Sequence, residues 1–205
     1  MTKTFGILLF PEAEELDFVG PWEVFGNFAT FFDKEWQVVS IAQTRDPVRC
    51  ANGLTVVPDH TFDDCPAVDV LLIPGGQGTR REVDNERLIA FVQERAGECE
   101  WITSVCTGSF ILQRAGLLDG RKASTYWAAR DRLRSLGVEV VEERFVRDGN
   151  VITAAGVSAG IDMALYVVGL LMSPDVARNV QKAIEYYPEP PFAEEAALSA
   201  GKETA

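Results

Sequence analysis

Short apolar runs rich in β-branched residues alternate along this chain with longer segments of helical period, and that alternation is the signature of βαβ units around a mostly parallel sheet. The runs at residues 5–10, 37–42, 70–73 and 101–104 are short and apolar enough to be strands buried on both faces. Helical periodicity fills residues 18–28, 84–95, 108–115, 128–136, 158–171 and 173–186, the last opening with Pro174 in a first-turn position. Two hairpins are expected, one turning at Asp148-Gly149 and one at Asn52-Gly53. The class that follows is α/β, with helices flanking the sheet.

At 205 residues, with 47% apolar and 24% charged side chains, the chain has the composition of one folded domain. That domain is expected over residues 1–192. Pro188-Glu189-Pro190-Pro191 ends regular structure, leaving residues 193–205 as an acidic, Ala-rich tail. With 31 acidic against 19 basic residues the formal charge is −12, which argues against nucleic acid or an anionic bilayer as a partner. No apolar run reaches membrane-spanning length, and Met1-Thr2-Lys3 followed by residues 5–10 is too short for a signal sequence, so a soluble cytoplasmic protein is expected. Cys50, Cys65, Cys99 and Cys106 form no Cys-x-x-Cys pair, and His60 is the sole histidine. Neither a disulfide framework nor a zinc cluster is suggested. A cysteine–histidine pair would have to use His60, which is assigned to a surface connection without a catalytic role.

Three segments carry the chemistry. The strand at 101–104 runs through Val105 into Cys106-Thr107-Gly108-Ser109 and then an apolar helix, so the sulfur stands on a tight turn at a strand's carboxyl end. This is the arrangement of a nucleophile elbow, with cysteine in place of serine. Helix N-terminal N–H groups beneath the sulfur are expected to favour thiolate near neutral pH. The alternative is a small buried hydrophobe, the role assigned to the other three cysteines. A second strand-end loop, Ile73-Pro74-Gly75-Gly76-Gln77-Gly78, offers glycine N–H groups to a developing negative charge, although a simple turn explains it equally well. It matches neither a P-loop nor a dinucleotide fingerprint. The third segment places Asp17 between Leu16 and Phe18 at a loop-to-helix junction, where it serves either as an inward-facing acid or as a helix N-cap. Glu12, Glu14 and Glu15 are read as a solvated acidic surface, and Asp162 as a first-turn carboxylate that favours its helix dipole.

Further motifs extend the pattern: Leu16-Asp17-x-x-Gly20-Pro21, Ala115-Gly116-Leu117-Leu118-x-Gly120-Arg121, Thr125-x-Trp127-Ala128, Val146-Arg147-Asp148-Gly149-Asn150 and Ser158-Ala159-Gly160-Ile161-Asp162-x-Ala164-Leu165. Together with the cysteine and glycine segments they resemble the ThiJ/PfpI superfamily of class I glutamine amidotransferase-like folds, and within it the isocyanide (isonitrile) hydratases. In the protease-like branch a histidine directly follows the cysteine, whereas Thr107 stands there in this chain. Sensor domains of AraC-type regulators share the Val-Cys-Thr-Gly motif but continue into a DNA-binding domain, for which this chain is expected to end too early. Tyr126 occupies a position where many relatives carry histidine.

The resemblance implies a three-layer, flavodoxin-like α/β sandwich in which Cys106 is the nucleophile, Asp17 the acid/base, and Thr107 with Gly75 and Gly76 the donors around the reacting atom. It implies hydration of an isocyanide to an N-substituted formamide with no metal or organic cofactor, in a homodimer; the apolar stretches 19–25 and 28–32 offer interface material, and the sequence does not identify the contact. A carboxylate beside the thiol is expected to have a raised pKa and to share one proton with it. Two other readings remain open at this point: a non-enzymatic sensor in which Cys106 is oxidised to sulfinic acid, and a glyoxalase-like enzyme acting on reactive carbonyls. Tyr126 and Trp127 serve equally as pocket wall or core.

Overall fold

The computed structural model describes residues 2–192, so the tail expected at 193–205 lies outside the described residues. In chain order the elements are β1 (Lys3–Leu8), α1 (Glu15–Phe31), β2 (Trp36–Ala42), β3 (Val48–Arg49), β4 (Thr55–Val56), β5 (His60–Thr61), β6 (Val70–Ile73), α2 (Thr79–Glu82), α3 (Glu86–Ala96), β7 (Trp101–Val105), α4 (Gly108–Arg114), β8 (Lys122–Ala123), a 3₁₀ turn (Trp127–Ala129), α5 (Arg130–Ser135), β9 (Glu139–Val140), β10 (Phe145–Asp148), β11 (Val151–Ala154), α6 (Ala159–Leu171) and α7 (Pro174–Ala183). No helix among them is long and apolar enough to cross a membrane.

Seven strands form the central sheet in the order β10-β11-β7-β6-β1-β2-β5. All neighbours are parallel except the β10–β11 hairpin at one edge. The central strands β6 and β7 are buried at every residue, as their unbroken apolar runs require. α1, α6 and α7 pack on one another as one helical layer, and α4 packs against α2 and α3 as the other. The expected three-layer α/β architecture is therefore what the chain adopts.

Aromatic packing fixes α1 on the sheet. Phe5 of β1 stacks on Phe25 with ring centroids 4.2 Å apart and on Trp36 at 4.3 Å, while Phe28 meets Phe5 and Trp36 edge-on. α1 approaches α6 closely because small residues line the contact. A Cβ on Gly20 would stand 2.8 Å from Ile161, and one on Gly160 would stand 3.1 Å from Pro21. This packing sets the height at which the first turn of α1 meets the strand ends.

Several boundaries differ from the sequence expectation. β1 occupies residues 3–8, so Leu9 and Phe10 are buried in the loop that follows rather than in the strand. α1 begins at Glu15 with Glu14 at the N-cap, which makes Asp17 a first-turn residue and removes the capping alternative. Both hairpins form, although the first turns on Gly149-Asn150, since Asp148 pairs with Val151. His60 does not lie in a connection: it opens β5 and pairs with Ile41 at the sheet edge. Glu15 is no free surface acid either, because its carboxylate accepts from the Asn52 and Leu54 N–H groups and ties the β3–β4 hairpin to α1.

Candidate active site

The loops after β1, β6 and β7 converge at the carboxyl edge of the sheet. The chain runs from β1 outward to β2 and then returns to β6 on the other side of β1, so the crevice lies at a topological switch point. Cys106 follows the last residue of β7 and precedes α4 by one residue. Its φ of +58° is the left-handed conformation that a non-glycine residue adopts only when its surroundings impose it. The imposing contacts are visible. Cys106 N–H donates to the Ala155 carbonyl at 2.8 Å. Gly108 packs so tightly that a Cβ there would lie 2.3 Å from the Ile73 carbonyl oxygen. The resulting elbow leaves Cys106 only 6% exposed.

Asp17 comes to the same place from α1 and is fully buried. Its Oδ2 accepts from Gly75 N–H at 2.8 Å, and its Oδ1 is buried with no hydrogen-bond partner among the described residues. The Cys106 thiol and this carboxyl group each shift the other's proton affinity. Burial raises Asp17 to about 7, opposed by the Gly75 N–H, assisted by the charge of Glu14 and moderated by the thiol. Burial, then the Asp17 charge, pushes Cys106 up to about 12 against the N–H groups of Thr107 and Val157.

Two expectations need correction. The sulfur is not held as a resting thiolate: desolvation and a neighbouring carboxylate outweigh the few amide donors that a seven-residue helix presents. The carboxyl pKa is raised, as expected, but by burial and the charge of Glu14 rather than by the thiol, which lowers it. The glycine amides also do a different job from the one expected. Gly75 N–H is committed to Asp17, and Gly76 N–H donates to Thr107 Oγ1 at 3.0 Å, so neither stands free for a developing charge. They instead bind the acid and the residue after the cysteine into one unit. A Cβ on Gly75 would lie 2.5 Å from Thr107 N and 2.9 Å from Asp17 Oδ2, which explains why no larger residue fits between them. Gly76, at φ +115°, forms an isolated β-bridge with Ala13 that joins the β6 loop to the β1 loop.

Thr107 Oγ1 lies 3.1 Å from Thr79 Oγ1, and Thr79 donates to the Gly76 carbonyl at 2.7 Å, so two hydroxyls and one peptide lock the loop against the elbow. His60 stands on β5, four strands from β7, a distance of roughly 19 Å at ordinary strand spacing, and is no partner for the thiol.

A DJ-1/PfpI family profile matches residues 3–170. The chain belongs to the DJ-1/PfpI family. It is 41% identical over 192 residues to isonitrile hydratase from Pseudomonas putida, covering 94% of this chain and 82% of that protein. It is 24% identical over 181 residues to a glutathione-independent glyoxalase from Caenorhabditis elegans, covering 87% of this chain and 94% of the relative. Among solved structures, a ThiJ/PfpI family protein from Pseudomonas syringae superposes with a TM-score of 0.87 at 36% identity, over 98% of this chain and 85% of that one.

Within this DJ-1/PfpI chain, Val157 is the site residue that sequence reading missed. Its backbone N–H, at a φ of +38°, favours the charged form of the sulfur, and nothing in the side-chain pattern announces a backbone donor. Tyr126 packs its ring on Gly156, where a Cβ would lie 2.7 Å away. Tyr126 and Trp127 rim a cavity of about 380 Å³ with Arg130, Arg144, Gly156 and Val157. Trp127, 65% exposed, is therefore wall rather than core. Asp162 lies in the first turn of α6 and pairs with Arg144, a structural role that adds an ion pair to the expected helix-dipole position.

Proposed function

We propose that this protein hydrates organic isocyanides to N-substituted formamides, with Cys106 as nucleophile and Asp17 as the proton carrier. The observation that carries the reading is the buried Asp17 carboxyl group beside the elbow thiol, with the only histidine four strands away. The similarity to isonitrile hydratase from Pseudomonas putida supports it.

The chemistry needs only these two groups and water. The terminal carbon of R–N≡C accepts a thiol across itself: the S–H bond breaks, an S–C bond forms, and the proton becomes the C–H of a thioformimidate. Asp17, as carboxylate, takes the thiol proton while sulfur attacks and then delivers it to carbon. In the second half Asp17 removes a proton from water as oxygen bonds to the same carbon, and that proton goes to nitrogen. The C–S bond then breaks, the sulfur leaves with the electron pair and recovers the hydroxyl proton, and R–NH–CHO departs. Thr107, whose N–H faces the sulfur and whose hydroxyl binds Gly76, orients the nucleophile.

A single shared proton suits this sequence. With Asp17 near 7 and Cys106 near 12, the pair carries one proton across the neutral to mildly alkaline range and exchanges its position between oxygen and sulfur as the reaction demands. The decisive experiment mixes purified protein with an aryl isocyanide and follows formamide absorbance. Turnover by the wild type and none by Cys106→Ala is expected; equal turnover by the two proteins, or none by either, overturns the reading. Methylglyoxal consumption, measured in parallel, separates it from a glyoxalase-like activity.

A further inference from the structure

The Cys106 carbonyl is held by two hydroxyls that the reaction scheme does not use. It accepts from Thr125 Oγ1 at 2.9 Å and from Ser109 Oγ at 3.2 Å, and those two oxygens lie 2.8 Å apart. Both residues are completely buried. Three contacts share two hydroxyl protons, so not all can be full hydrogen bonds at once. The two shorter contacts make a relay in which Ser109 donates to Thr125 and Thr125 donates to the carbonyl, each bond polarising the next.

Thr125 is brought there from a remote part of the chain. Its neighbour Ser124 fixes it by donating N–H to Thr153 Oγ1 on β11 at 2.7 Å and its own hydroxyl to the Glu143 carbonyl at 2.6 Å. The clamp is thus anchored to the sheet rather than to α4 alone.

A peptide unit is planar and trans, so its carbonyl oxygen and its N–H point in opposite directions, and fixing one fixes the other. The unit whose oxygen is clamped is Cys106–Thr107, and its N–H is the Thr107 amide, which favours the charged form of the sulfur. We propose that Thr125 and Ser109 are positioning residues: by gripping the Cys106 carbonyl they hold the strained elbow and keep the Thr107 N–H aimed at the reacting sulfur. The inference rests on the reading of Cys106 as the nucleophile, and it assigns neither hydroxyl a contact with substrate.

The test uses the full-length Thr125→Val, Thr125→Ser and Ser109→Ala proteins. Iodoacetamide labelling of Cys106, resolved from the other cysteines by peptide mass spectrometry, is followed from pH 6 to 11 alongside kcat and KM for an aryl isocyanide. Thr125→Val is expected to slow Cys106 labelling at pH 8 about tenfold, the worth of one buried hydrogen bond left unmade. All of that pH range lies below the thiol's value of about 12, so the labelling rate is expected to be lowered throughout it, and kcat to fall with KM unchanged, while Thr125→Ser restores both. A folded Thr125→Val protein with the wild-type labelling rate and pH profile overturns the proposal. If thermal unfolding shows that Thr125→Val does not fold, a folded Ser109→Ala protein with an unaltered profile overturns it instead. Labelling requires no isocyanide, so a wild-type protein that labels at Cys106 and hydrates nothing removes the hydratase reading while the clamp is still judged on the labelling data.

Discussion

Asp17, in the first turn of α1, and Cys106, directly after β7, are both buried and each shifts the other's proton affinity, while the Gly75 N–H occupies one carboxyl oxygen of Asp17 and leaves the other unpartnered among the described residues. The Gly75 amide orients the acid, the peptide after Cys106 presents an N–H to the sulfur, and burial sets the proton affinity of both groups.

The pH dependence of turnover follows from this pair. Below about 7 Asp17 is protonated together with the thiol, and no base is present to accept the thiol proton. The competent one-proton state grows as pH rises through that value. The expected kcat/KM profile climbs about tenfold per pH unit on the acid side and levels above pH 7. A profile that levels near pH 4, the ordinary carboxylate range, contradicts the assignment of Asp17.

Asp17→Asn separates catalysis from stability. Loss of the proton carrier is expected to lower kcat/KM by about 10²- to 10⁴-fold. Stability moves the other way. The folded pKa of Asp17 lies above its unfolded value of 3.8, so the native state holds a proton that the unfolded chain has lost between about pH 4 and 7, and stability falls as pH rises through that window. The penalty is complete above pH 7 and amounts to at most roughly 4 kcal/mol. Thermal unfolding is therefore expected to show the variant more stable than wild type at pH 8, with the gap closing toward pH 4.

Gly75→Ala tests the closeness of the two loops. The added methyl meets the Thr107 amide and the Asp17 carboxylate, both backed by buried structure, so the β6 loop must move and misplace the acid. A loss of activity of about 100-fold, the scale of a 1 Å misplacement, is expected with the fold retained by circular dichroism. Full activity shows that the loop has room the geometry does not allow.

Thr107→Val removes the acceptor of the Gly76 N–H and a contact of Thr79 while keeping the side-chain shape. The Gly76 amide is part-buried, so leaving it unpaired is expected to cost about 1 kcal/mol, the low end for a buried group, read as a drop in unfolding free energy by denaturant titration. Thr107→Ser, which keeps the hydroxyl, is expected to recover most of it.

The alternation of apolar runs with helical segments determined the class, because a strand buried on both faces cannot hide its composition, and β6 falls on residues 70–73 as the sequence predicts. The tight strand-to-helix turn at Cys106 was legible for the same local reason: a buried strand, a cysteine, small residues and a helix within ten positions admit few backbone paths. The sequence also marked Asp17, but could not choose between cap and acid, since that depended on where α1 begins and on its packing against α6. Proton affinities were beyond it. The helix N-terminus argues for a thiolate, whereas burial and a carboxylate delivered from the first turn of α1 decide for a thiol. The partners of the Gly75 and Gly76 amides, the Val157 donor and the grip of Thr125 on the Cys106 carbonyl arise from backbone groups brought together by chain crossings. Side-chain order encodes local conformation and which faces are buried; which amide meets which sulfur or oxygen is decided only when distant loops share one edge of the sheet.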